Sequence, residues 1–160
     1  MDARVRLAEE ATDLAVAGRL LHEFNTAYDE VTPGAEALGR RLGDLRAHGG
    51  TEVLLGLSDP GDDLSDAVGV AVLRHRPAVW TTADEAYLAE LWVDPSARGV
   101  GLGRALLRAC LERARALGCD RLDLGTTEDD VEARTLYESE GLRATEGPGG
   151  PTAYFYETEL

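Results

Sequence analysis

Apolar residues recur at helical spacing between positions 13 and 28, at Leu14, Ala17, Leu20, Leu21, Phe24 and Tyr28. This period predicts an amphipathic helix over residues 13–28, capped by Thr12 or Asp13. A second helix is predicted over residues 35–47, ending at Gly49 and Gly50. Alternation predicts a short first strand over residues 4–7, and apolar runs predict strands over 52–57, 67–73 and 86–93. The last of these is nearly all apolar, which marks it as central and buried. Residues 59–63 read as a turn and residues 77–84 as a polar loop.

A strong amphipathic helix is predicted over residues 103–117. Ala105, Leu106, Ala109, Cys110, Ala114 and Leu117 lie on one side, with Arg104, Arg108, Glu112 and Arg115 on the other. Gly118 stops it. A strand over 121–124 follows, then a short helix over 131–140 ending at Gly141. The loop 147–151 then leads to a closing strand over 153–159, with a further strand at 142–145. The adjacent aromatics of the closing strand are expected in the core rather than at an interface. No repeat and no dividing linker interrupts the chain, so residues 1–160 are expected to form one domain. Antiparallel strands first and a strand-loop-helix-strand crossover later point to a mixed α/β sheet.

Charge narrows the partners. The chain carries 16 basic and 30 acidic residues, a formal net charge of -14. Such a surface repels nucleic acid and anionic membranes and attracts cationic acceptors, although acidity that serves only solubility gives the same number. Every basic residue is arginine, which removes any chemistry that needs lysine. Cys110 and Cys119 have neither redox-pair nor metal-pair spacing and read as reduced thiols. His22, His48 and His75 are scattered, so no metal is expected. No apolar run reaches ~18 residues, and the N-terminus lacks a signal-peptide core, so a cytoplasmic location is the default expectation.

The chemistry concentrates in Arg98-Gly-Val-Gly-Leu-Gly-Arg104, which joins an apolar strand to the arginine-rich helix. A helix N-terminus offers unpaired N–H groups and the positive end of its dipole, the natural seat of a phosphate. Gly99, Gly101 and Gly103 let backbone approach an anion closely, and Arg98 and Arg104 bracket the loop with charged donors. The plain alternative is a turn that only permits tight strand–helix packing. A Walker-type nucleotide loop needs a lysine that the chain lacks. A dinucleotide loop needs G-x-G-x-x-G, whereas here the third glycine comes one position early and Arg104 stands in its place.

Residues 93–107, VDPSARGVGLGRALL, resemble the acyl-CoA loop of the GNAT superfamily of N-acetyltransferases, whose signature is [RQ]-x-x-G-x-[GA]. Residues 136–142, LYESEGL, are similar to that family's second landmark, L-Y-x-x-x-G-F, at a fitting separation. The resemblance covers residues 52–160 and is sharpest over 90–142. It implies a GNAT acyl-CoA N-acyltransferase fold, with a mixed, mostly antiparallel sheet of about six or seven strands and helices on both faces. It also implies acetyl transfer from acetyl-CoA to a primary amine of a small molecule or peptide, by direct attack in a ternary complex. A non-catalytic acyl-CoA-binding or regulatory module is the alternative, and a homodimer is a family-level expectation.

Residue by residue, the resemblance places Leu91, Trp92 and Val93 along the pantetheine arm, and the backbone of Arg98, Gly99, Val100, Gly101, Leu102, Gly103 and Arg104 at the pyrophosphate. It makes Tyr137 the donor of a proton or hydrogen bond to the coenzyme sulfur; the plain reading is a core aromatic. It makes Glu90 the general base, against a structural or orienting carboxylate, with Glu85 and Asp84 next in line. Asp130 stands where the family often carries an asparagine. It accepts a hydrogen bond but has no amide N–H to donate, and Thr126 or Thr127 is the alternative donor. Phe24, Asn25, Tyr28, Trp80, Asp84 and Glu85 are nominated for the acceptor site. Aromatics beside carboxylates suit a cationic amine.

Overall fold

Five strands form one sheet in the computed structural model, which describes all residues 1–160. They are β1 (Val5–Leu7), β2 (Thr51–Gly56), β3 (Gly69–Pro77), β4 (Asp84–Val93) and β5 (Cys119–Asp123), in spatial order β1-β2-β3-β4-β5. The first four pair antiparallel, and β4 pairs with β5 in parallel. A parallel pair needs a crossover connection, which helix α3 (Leu102–Ala116) supplies. Helices α1 (Ala11–Ala27) and α2 (Ala35–Ala47) fall between β1 and β2. All these elements belong to the first of two compact units, Met1–Leu124. No helix is long and apolar enough to cross a membrane.

Alternation along β2 and β3 builds two cores. Val53, Leu55, Val70 and Val72 pack with Leu14, Ala17, Leu20, Leu21 and Leu42 of α1 and α2. The alternate positions face α3: a Cβ on Gly56 or Gly69 would meet Leu102 or Leu106 within 3.4 Å. The expected helices on both faces are therefore present in this unit. Helices α1 and α2 touch backbone to backbone. A Cβ on Gly18 would lie 2.4 Å from the Gly39 nitrogen and 2.5 Å from the Ala35 oxygen.

Several predicted boundaries move. Helix α1 begins at Ala11, because Glu10 is its N-cap and Asp13 sits at N3 in a reciprocal capping box. The strand expected to stop at residue 73 continues to Pro77, through Arg74, His75 and Arg76. The cysteines are free; Cys110 is fully buried, which pushes its thiol up to about 12.

The second unit, Gly125–Leu160, holds helix α4 (Val131–Ser139) and little other regular structure. The sheet has five strands and not six or seven, because neither 142–145 nor 153–159 forms a strand. Only an isolated bridge forms here, from Thr145 to Thr152, the residue before the second segment. The sequence explains the interruption: Pro148 and Pro151 lack the N–H that a ladder needs, and three glycines separate the arms. Tyr154, Phe155 and Tyr156 are 75%, 68% and 86% exposed, so they do not join the core. Three consecutive aromatics cannot all point to one face of a strand.

Candidate active site

Strand β4 opens the site. Its residues Asp84 to Tyr87 pair with β5, whose last residue, Asp123, lies opposite Tyr87. Beyond that point β4 runs on to Val93 with β3 along one edge and no strand along the other. A β-bulge assists the divergence: Leu73 pairs with Leu88 and Val72 with Glu90, which leaves Ala89 as the extra residue. Leu91, Trp92 and Val93 thus present an edge that no strand pairs. The side chains of Trp92 and Val93 are buried in the unit.

The free edge leads straight into the glycine loop. Asp94 accepts the Ser96 N–H at 2.8 Å and caps a short 3-10 turn, Pro95–Ala97. The two hydrogen bonds from Ser96, side chain first, hold the Asp94 carboxyl below its ordinary value. Arg98 ties the loop back by donating its Nε–H to the Val93 carbonyl at 2.9 Å. Gly99 and Gly101 then take left-handed φ values of +82° and +81°, and a Cβ at either would meet no atom within 4 Å. Helix α3 starts at Leu102, so the N–H groups of Leu102 and Gly103 fall in its first turn, before the intrahelical ladder begins at Ala105. The predicted residues from Leu91 to Arg104 therefore form one continuous path: open strand edge, turn, glycine cradle, helix N-terminus.

Glu90 lies beside this path. It pairs with Val72 and alternates with Trp92, so it faces the α1/α2 side of the sheet. Burial alone raises its carboxyl above the ordinary glutamate value, and no hydrogen bond or ion pair holds it. Phe24 stacks on Trp92 at 6.0 Å, and Tyr28 meets Phe24 edge-on at 5.4 Å. The structure thus gathers Phe24, Tyr28, Trp92 and Glu90 at one face. Asn25 is half-buried on the same helix. The indole Nε1–H of Trp92 is buried and has no acceptor.

The other nominated acceptor residues separate. Glu85 bonds Arg76 at 2.7 Å and lies 3.6 Å from Arg121. Asp84 points to the opposite face by alternation and meets His75 Nδ1 at 3.1 Å. Trp80 sits in the loop between β3 and β4, 94% exposed. A cavity of about 420 Å³ opens on this half of the sheet, lined by Arg74, Arg76, Glu85, Tyr87 and Asp123 among others. Arg74, Arg76 and Tyr87 were not singled out from sequence, and Asp123 was weighed only as the acidic residue of a dinucleotide site. The signal was present in the alternation Val70, Val72, Arg74, Arg76, where one strand face turns from apolar to cationic. No group of three or more His, Cys, Asp or Glu side chains is disposed to hold a metal ion.

The second unit carries Tyr137, half-buried on α4. Burial first, and then the Asp130 carboxylate, raises its phenol above the ordinary value of 10.0, so the proton is retained. Asp130 caps α4 by accepting the Ala133 N–H at 3.0 Å. Thr126 is exposed in the segment before the helix.

Comparison with known proteins agrees with this geometry. The model of the acetyltransferase (GNAT) family matches residues 19–142. The chain belongs to this family. A crystal structure of a candidate acetyltransferase from Arthrobacter sp. FB24 superposes with a TM-score of 0.84 at 36% identity, over 98% of this chain and 95% of that one. A glucosamine 6-phosphate N-acetyltransferase of Trypanosoma brucei brucei is 30% identical over 148 residues, 91% of this chain and 92% of that protein. A mycothiol acetyltransferase of Beutenbergia cavernae is 40% identical over 68 residues, 41% of this chain. That match spans 23% of the Beutenbergia protein's length.

The GNAT family generally uses acetyl-CoA, and the cradle of this chain fits such a group. Its glycines leave open space where side chains would stand, and backbone donors converge at the start of α3. The free edge of β4 suits an amide-bearing arm laid alongside it.

Proposed function

We propose that this GNAT chain transfers the acetyl group of acetyl-CoA to a primary amine of a small molecule or peptide, by direct attack within a ternary complex. The observation that carries the reading is Glu90, a desolvated carboxylate with no cation partner, on the stretch of β4 that β5 leaves unpaired and that runs into the glycine loop. The rival carboxylates Glu85 and Asp84 each already engage a basic side chain. The names of the relatives support a small-molecule amine as acceptor. The family match crosses residue 124, which supports treating residues 1–160 as a single acetyltransferase domain.

Acetyl-CoA supplies the acyl group already activated as a thioester. The protein's tasks are then positioning and proton movement. Backbone N–H groups of residues 99–104 would hold the pyrophosphate, the Arg98 N–H being given to the Pro95 carbonyl at 3.4 Å, and the β4 edge at Leu91, Trp92 and Val93 would orient the arm. Glu90, directly or through one water, takes the proton that the amine must lose. A carboxyl whose affinity for protons is raised by burial does this better than an ordinary one. Tyr137 Oη holds the proton that the departing sulfur takes.

Calorimetric titration with acetyl-CoA, with NAD as control, tests the first half, and thiol release in an amine screen tests the second. Binding of acetyl-CoA followed by amine-dependent thiol release is expected. Binding without release from any amine would favour the non-catalytic module. No binding would return the loop to a packing turn.

A further inference from the structure

The cavity on the sheet face that Glu90 shares has an electrostatic pattern opposite to that of the whole chain. Register places its charged side chains and Tyr87, with Arg121 next to them on β5, in two rows across the sheet. Arg74, Tyr87 and Asp123 form one row, and Arg76, Glu85 and Arg121 form the next. In the second row, Glu85 is already neutralised by Arg76 at 2.7 Å and Arg121 at 3.6 Å. Asp123 takes a further bond from Arg121 at 3.0 Å. Arg74 has no carboxylate within ion-pair distance. Its Nε–H is given to the Gly50 carbonyl at 3.3 Å, which fixes the guanidinium and leaves its two terminal nitrogens without a protein acceptor. Three guanidiniums thus face two carboxylates, in a chain whose formal net charge is -14. A half-buried arginine without a counter-ion calls for an anion from outside.

We propose that Arg74 makes this trough a reader of amines that also carry an anionic group, a phosphate or a carboxylate. The inference rests on the acetyltransferase reading for where the amine goes, and on the trough for the rest. Val72, the partner of Glu90, and Arg74 are successive positions on one face of β3, about 7 Å apart along the strand. That separation matches an amine and an anionic group at two ends of one sugar ring or a short amino acid. Tyr87, opposite Arg74 and 42% exposed, offers a ring face to the body of such a molecule. The net acidity that favours a cationic acceptor acts on the approach. The trough itself selects a molecule bearing both signs.

The test is calorimetric titration of the full chain, loaded with coenzyme A, at 0.15 M salt, where long-range repulsion is screened. The probes are two matched pairs: glucosamine 6-phosphate against glucosamine, and β-alanine against its amide. At least one anionic amine should bind about tenfold or more tightly than its neutral partner, the worth of a charge-assisted hydrogen bond. The arm that shows the preference names the anion. Arg74→Gln should bring the pair within about twofold, and Arg74→Lys should keep part of the preference. Arg40→Gln, on the exposed face of α2, should leave it unchanged. Equal affinity within both pairs, no binding of either anionic amine, or a preference that survives Arg74→Gln would overturn the proposal. Thiol release is read separately. Anion-dependent binding without acetyl transfer to these probes or to any amine of the screen would sink the acetyltransferase reading and leave the trough standing. Transfer to glucosamine and to β-alanine amide as fast as to their anionic partners would do the reverse.

Discussion

Replacing Glu90 by glutamine separates a catalytic carboxylate from a structural one, because the two roles predict opposite signs. The substitution keeps shape and removes the charge. In the fold the ionised form is disfavoured by burial, so native Glu90 holds its proton to higher pH than the unfolded chain does. The stability this contributes is fully present below the ordinary glutamate value of 4.5 and is lost as pH rises through the raised native value. At pH 7 the wild type therefore bears the cost of a half-buried charge, and Glu90→Gln should melt at or above the wild-type temperature. Near pH 4 the two should melt together. Catalysis should move the other way. A positioned general base contributes about 10²–10⁴-fold, so kcat at pH 7 should fall by about that factor, equivalent to roughly 3–5 kcal/mol of barrier. The wild-type rate should rise with pH through an acid limb lying above 4.5, and that limb should be absent in the variant. Thiol-release kinetics from pH 5 to 9, with thermal melts on the same samples, give both readouts. A loss of activity below about tenfold, or a melting temperature that falls together with the rate, would refute the argument.

Tyr137→Phe should slow turnover by about 10²-fold while calorimetry finds acetyl-CoA affinity nearly unchanged; an unaltered rate would remove Tyr137 as proton donor. Gly101→Ala adds a methyl that meets no atom within 4 Å, so its cost to the fold is that of the φ of +81° alone. That is about 1–2 kcal/mol, or roughly 2–8 °C of melting temperature for a chain of this size. Acetyl-CoA affinity should fall by more than this, and an unchanged affinity would show that the loop is no anion cradle. Gly18→Ala puts a Cβ 2.4 Å from the Gly39 nitrogen, where only backbone can move. The cost should be about 3 kcal/mol or more, read as a melting temperature roughly 6–12 °C lower, and an unshifted melt would mean that α1 and α2 do not pack this closely.

The elements were legible because local periodicity carries them. The apolar stripe of α3 and the glycine pair after α2 end up where the pattern puts them, within a residue or so. The glycine loop was legible for a stronger reason. Left-handed φ at Gly99 and Gly101 is a local backbone need, and glycine meets it at no steric cost. Strand β4 was readable as central because residues 86–93 are nearly all apolar. That same uniformity hid its bulge at Ala89, since a run without alternation carries no mark of a register shift. The C-terminal aromatics misled for the converse reason: β propensity is a side-chain preference, and no pairing follows from it where prolines interrupt the ladder.

Sequence alone determined the family, the glycine loop between β4 and α3 and the carboxylates that could act. Tertiary structure decided which carboxylate stands unpaired, because Arg76 and His75, cross-strand neighbours of Glu85 and Asp84, are set by sheet register and not by distance along the chain. It also decided where β4 leaves β5, and it turned Arg74 from a residue beyond the expected strand into the one cation of the trough without a carboxylate partner. Local sequence fixes what a residue prefers to do. Only the strands beside it fix which charges it meets and how much water it keeps.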